Sequence, residues 1–121
     1  MVQKYEDLLV YQRGYKAAVL MYQLAKELPA EETYGMISQI KRAATSIPLN
    51  IAEGYGKGSN GAELKRFLMM ARGSASEMKV LLSLCRDLEY VKPSEAKRLI
   101  QGYDEVGKML TGLIRSIRSK S

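Results

Sequence analysis

The residues of this chain with the clearest chemical potential are cations in register. Lys65, Arg72, Lys79 and Arg86 recur every seven positions. On a helix they form one stripe about 31 Å long, at about 1.5 Å of rise per residue. Lys65, Arg72 and Lys79 have no acidic residue three or four positions away, which leaves Arg86, facing Glu89, as the member neutralised within its own helix. An unpaired stripe attracts phosphate groups, except where carboxylates of a neighbouring helix, such as Asp104 or Glu105, quench part of it. Arg115, Arg118 and Lys120 add a basic end to the last helix, where cations also suit the negative pole of the helix dipole. The whole chain carries 19 Lys plus Arg against 13 Asp plus Glu, a net charge of +6. Most of that excess falls after residue 60, so the second half supplies the positive field and is expected to meet RNA or DNA through phosphate contacts.

Other chemistries lack their parts. The chain has no histidine, and with it goes the commonest general base and metal ligand. Cys85 stands alone and can form neither an intramolecular disulfide nor a thiolate zinc site, which fits a reducing, cytoplasmic setting. Carboxylate metal centres in helical bundles use Glu-x-x-His pairs, and none can be built here. We therefore expect no catalytic residue, no metal, no cofactor and no enzyme activity. The glycine-rich run from Gly54 to Gly61 contains Gly56-Lys57-Gly58, but a phosphate-binding loop follows a strand and this one follows a helical pattern, so it reads as a turn. Gln39, Arg42, Asn50 and Glu53 bracket Pro48 and are expected to gather as one polar network around the carbonyl that the proline leaves without a donor. No apolar stretch approaches the 18 residues of a membrane span and no signal-peptide pattern opens the chain, so no membrane partner is expected.

The elements that must position these groups are helices. At 121 residues the chain has the size of one domain, 1–121, and its 46% hydrophobic and 26% charged content belongs to the globular class. Leu8, Tyr11, Tyr15, Ala18, Tyr22 and Ala25 follow a 3,4 spacing, as do Ile37, Ile40, Ala44, Ile47 and Ile51. A third seam runs from Leu64 through Leu68, Ala71, Ala75, Met78 and Leu82 to Cys85, and a fourth from Ala96 through Tyr103, Val106 and Leu110 to Ile117. Pro29 ends the first segment, Pro48 kinks a continuous second one, Asn60 caps the third and Pro93 opens the fourth. Helices of about 7–28, 31–54, 61–90 and 93–118, joined by short connections, make an all-α, antiparallel up-down-up-down four-helix bundle. Small residues cluster at Gly73-Ser74-Ala75-Ser76 and suggest close approach of another helix. Phe67, Met70, Leu84, Ile100, Met109 and Ile114 exceed what one core seam needs, which points to a self-association surface.

One pattern is specific. Gln39, Arg42-Ala43, Ser46-Ile47-Pro48 and Asn50-Ile51-Ala52-Glu53-Gly54, then Phe67-Leu68, Ala71-Arg72-Gly73-Ser74 and Glu77, resemble the 23S rRNA intervening-sequence proteins, a bacterial family. The resemblance reaches loosely from Tyr5 to Ile114. It implies a four-helix bundle assembled as a homopentamer, a cytoplasmic role and no established enzyme activity. A related group, the accessory variability proteins of diversity-generating retroelements, implies an alternative role as a protein-interaction scaffold or accessory subunit of a reverse transcriptase. Lys57-Gly58 stands where the family often has an arginine, and Met36 where leucine is usual.

Overall fold

A computed structural model describes residues 4–56 and 61–117. The described residues form four antiparallel helices: α1 (Leu9–Ala25), α2 (Met36–Gly56), α3 (Gly61–Asp87) and α4 (Pro93–Ser116), with 3-10 turns at Tyr5–Asp7 and Ala30–Glu32. Each helix packs on its neighbours in sequence, α1 also touches α4 sparingly, and α1 and α3 stand diagonally opposite. The fully buried centre is built from Met21, Ile40, Ile47, Ile51, Leu68, Met78, Leu82, Tyr103 and Leu110. Nearly all of these sit on the expected seams of α2, α3 and α4. No helix among the described residues is long and apolar enough to cross a membrane.

The helix ends differ from the expected bounds for local reasons. α1 stops at Ala25 rather than near 28, because Lys26, Glu27 and Leu28 tighten into bonds to the carbonyls three residues back, ahead of Pro29. α2 starts at Met36 rather than near 31, since Ala30–Glu32 forms a separate turn. From that turn the Glu32 carboxylate accepts the Met36 N–H at 3.1 Å and the Tyr90 hydroxyl at 2.7 Å. These bonds, that from Tyr90 first, hold Glu32 below the usual carboxylate range, and a negative charge at this position favours the positive end of the α2 dipole. α2 runs through Pro48 without a break and includes Gly54. The Asn60 cap expected for α3, like Lys57, Arg118 and Lys120, lies outside the described residues.

α3 ends at Asp87 rather than near 90 because Tyr90 and Glu89 donate back to the carbonyls of Cys85 and Arg86, at 2.8 and 3.0 Å. That is a Schellman stop, and it places Glu89 in the left-handed region at φ 64°. A side chain there is strained by about 1 kcal/mol relative to glycine. Glu89→Gly is therefore expected to raise stability by about 1 kcal/mol, read as a higher denaturation midpoint at an unchanged slope; an unchanged or lower midpoint would contradict the strain.

The first seam keeps Ala18 and Ala25 in the core with Leu8 and Tyr11 packed against it, but it leaves out Tyr15 and Tyr22. Tyr15 and Tyr22 are 54% and 42% exposed, while Val10, Gly14, Ala18, Met21 and Leu24 are buried. The reason is steric. A Cβ on Gly14 would lie 2.9 Å from Ile47 Cγ2, so α1 approaches α2 where only a hydrogen fits. Tyr15 and Tyr22 then turn outward; Lys41 lies 4.9 Å from the Tyr22 ring centroid.

Candidate nucleic-acid interface

Seven-residue spacing places Arg72 and Lys79 on one flank of α3, about 10 Å apart along the axis. α4 answers with Asp104, Lys108, Thr111 and Arg115, spaced 4, 3 and 4 and therefore also on one face. Between the two helices lies a groove of 460 Å³ in which four cations, Arg72, Lys79, Lys108 and Arg115, surround one carboxylate, Asp104. Lys79 Nζ donates to Asp104 Oδ1 at 3.0 Å and Lys108 Nζ lies 3.4 Å from Oδ2. Arg72 Nη1 donates to Thr111 Oγ1 at 3.2 Å. Arg115 is exposed and has no polar partner among the described residues. The Lys79 hydrogen bond first, then the charges of Lys79 and Lys108, hold Asp104 below the usual carboxylate range. It is ionised at neutral pH, and the groove keeps a net positive charge. Gly107 and Gly112 line the same groove, where a methyl group would touch nothing, so a ligand can come close to the α4 backbone.

The six cations marked in the sequence are thus divided by the fold. Arg72, Lys79 and Arg115 come together. Lys65 instead borders a shallow depression with Arg66, Met69 and Met70. Arg86 pairs with Asp87 at 2.9 Å and not with Glu89, because the helix ends before Glu89 and the left-handed turn carries it away from the Arg86 face. Arg118 lies outside the described residues. Asp104 partly neutralises Lys79, as a neighbouring helix was expected to do, but Glu105 turns to Arg13 on α1. Lys108 is the member that sequence reading passed over. Its signal was present in the seven-residue step to Arg115 and the four-residue step from Asp104.

Around Pro48, Gln39 and Arg42 do not share hydrogen bonds with Asn50. Arg42 bonds Gln39 at 3.1 Å and crosses to Glu77 of α3 at 2.9 Å. Asn50 instead donates to the Ser46 carbonyl and hydroxyl, and the buried Ser74 donates to that same Ser46 hydroxyl at 2.8 Å. One helical turn separates the two groups, and each is drawn to its own polar partner on α3. Glu53 is exposed and Gly54 is buried. The Arg42–Glu77 and Ser46–Ser74 bonds tie α2 to α3 and so set the platform on which Arg72 and Lys79 stand. Cys85 is fully buried, and burial, with the Glu32 charge adding to it, pushes its thiol up to about 11, which keeps it protonated and unreactive at neutral pH. Among the described residues no three His, Cys, Asp or Glu side chains group to hold a metal ion.

The profile of the family described as 23S rRNA-intervening sequence protein matches residues 6–112, a span that includes Arg72, Lys79 and Lys108. No curated protein matches the chain. Among solved structures, one from Bacteroides thetaiotaomicron VPI-5482, described as a protein with unknown function from the S23 ribosomal protein family, is similar at a TM-score of 0.81 and 28% identity. The similarity covers 89% of this chain and 100% of that one.

Proposed function

The chain belongs to the 23S rRNA-intervening sequence protein family, and on that footing we propose that it is a non-enzymatic, oligomeric basic bundle of the cytoplasm that binds RNA or DNA through phosphate contacts. The observation that carries this reading is the α3–α4 groove, where four cations face a single carboxylate. Phosphate is the ligand such a groove suits: its cations come from two helices held in fixed register, and its glycines leave the backbone open. Binding led by phosphate is largely blind to sequence and falls steeply with salt. A homopentamer, as the family resemblance implies, multiplies each groove fivefold and raises avidity through effective concentration. Structured RNA of the ribosomal kind is the first partner to test.

The test is a titration of labelled structured RNA and of a DNA duplex of equal length, from low to physiological salt. The proposal expects a steep linear fall of log affinity against log salt; absence of binding at low salt would sink it. Asp104→Asn sharpens the test because it removes the one carboxylate and releases Lys79 and Lys108. Affinity is expected to rise about fivefold, on the order of 1 kcal/mol for one exposed charge at contact distance. A fall in affinity at unchanged helicity would place the phosphates elsewhere. A second reading, a docking scaffold or accessory subunit for a partner such as a reverse transcriptase, is favoured by the apolar outer face of α3. It expects no response to Asp104→Asn.

A further inference from the structure

Two surfaces of the bundle have no partner among the described residues, and they complement one another. On the outside of α3, Met69, Met70, Val80, Leu84 and Leu88 are each between 45% and 61% exposed, and all five fall within a sector about 100° wide on a helix of 3.6 residues per turn. Across the bundle, where α1 and α4 touch sparingly, lies a groove of 600 Å³. Its apolar walls are Ala17, Leu20 and Leu24 of α1 and Leu99 and Val106 of α4, with Gly102 between the last two.

The glycines separate what the fold uses from what it leaves open. At Gly14 and Gly54 a Cβ would sit 2.9 Å from a side chain of the facing helix, so these glycines serve crossings inside the bundle. Gly73 and Gly102 weaken their helices in the same way, yet a Cβ there would meet nothing. Gly73 lies in the middle of the α3 ridge and Gly102 in the α1–α4 groove. The lengths are comparable, since the ridge from Met69 to Leu88 extends about 28 Å and the groove wall from Arg13 to Glu27 about 21 Å. Charge selects the occupant. The rim of this groove balances Arg13, Lys16 and Arg98 against Glu27, Glu95 and Glu105, so it does not repel a copy of a +6 chain, whereas the four-cation groove does.

We infer that the α3 ridge of one copy seats in the α1–α4 groove of a second copy. This rests on the self-association in the reading above and assigns its surfaces. Ridge and groove occupy different faces, so the contact is head-to-tail, the kind of contact from which a closed ring such as the homopentamer of the reading above is built. Arg72 and Lys79 flank the ridge on the same helix, so each junction brings a partner's α1 and α4 alongside a phosphate-binding groove.

Light scattering on three proteins tests the pairing: the natural chain, a ridge variant (Val80→Glu with Leu84→Glu) and a groove variant (Leu20→Glu with Gly102→Glu). The natural chain is expected as a closed multimer and each variant as a monomer of 13.6 kDa with unaltered helical circular dichroism. Mixed in equal amounts, the two variants should form particles of two chains, because one intact ridge then meets one intact groove. If a ridge or groove variant loses helicity, Gly73→Glu takes the place of the former and Gly102→Glu alone that of the latter. A monomeric natural chain, a variant that still assembles, or a mixture that stays monomeric would overturn the pairing and leave these faces to a helix of another protein. Both variants keep every lining residue of the basic groove. Assembly without RNA binding therefore sinks only the nucleic-acid reading, and binding of a short RNA by a monomeric natural chain sinks only the pairing.

Discussion

A chain carrying Lys79→Glu and Arg115→Glu is expected to lose structured-RNA affinity about 100-fold at low salt, a change of about 3 kcal/mol. Each reversal removes a cation from one wall of the α3–α4 groove and puts an anion in its place. Two walls then repel the phosphates that four cations had drawn in. A cost of about 1 to 2 kcal/mol per reversed exposed charge gives the total. The salt slope should flatten as well, by about one for each phosphate that the groove no longer neutralises. Folding is expected to survive, since Lys79 and Asp104 are 36% and 46% exposed and exposed ion pairs add little stability. Reversal of Arg86, which stands apart and is already paired with Asp87, should change affinity far less. Equal losses at Arg86 and in the groove would mean that net charge alone drives binding and that the groove has no special role.

The largest stability effect is expected at Gly54. A Cβ there would lie 2.9 Å from Leu64 Cδ1 and 3.1 Å from Phe67 Cβ. The leucine tip can swing away, but the Phe67 Cβ is fixed to the α3 backbone, so the helices must separate. Gly54→Ala gains about 1 kcal/mol of helix propensity and spends it on that clash. Gly54→Leu pushes three further carbons into the crossing and is expected to destabilise by about 3 kcal/mol, lowering the melting temperature by about 10 °C. Gly107 provides the contrast. It is also inside a helix, but a Cβ there meets nothing, so Gly107→Ala should stabilise by about 0.5 to 1 kcal/mol. Thermal melts of the three variants check the pattern, and a Gly54→Leu chain that melts with the natural one would show that α2 and α3 do not meet as described. The same separation would shift Arg72 and Lys79 relative to α4, so RNA binding should weaken with stability at Gly54.

The number, order and approximate extent of the helices could be read along the chain, because each 3,4 repeat of apolar residues marks a helix whose stripe must be buried against the others. The seams of α2, α3 and α4 followed directly: Ile40, Ile47 and Ile51, then Leu68, Met78 and Leu82, then Tyr103, Val106 and Leu110 are in the core. The seven-residue spacing of Arg72 and Lys79 was legible too, and so was the conversion of surplus apolar residues into an exposed face at Met70 and Leu84. Phe67 and Ile114 show the limit of that count, for both are buried. The phase of α1 was legible only in part, at Ala18 and Ala25, since Leu9, Val10, Tyr11, Tyr15, Val19, Leu20 and Met21 surround the helix with apolar groups and periodicity cannot choose among them. The fit of Gly14 against Ile47 chose. Helix ends likewise waited on partners remote in sequence, as when Tyr90 fixes Glu32 beside the start of α2. The site shows the same division. Local spacing finds cations on one helix, but which of them face a second helix depends on how the two are rotated and crossed, and that is set by packing. The tertiary structure therefore decided that Arg72 and Lys79 meet Lys108 and Arg115 across a groove, while Lys65 and Arg86 of the same stripe stand outside it.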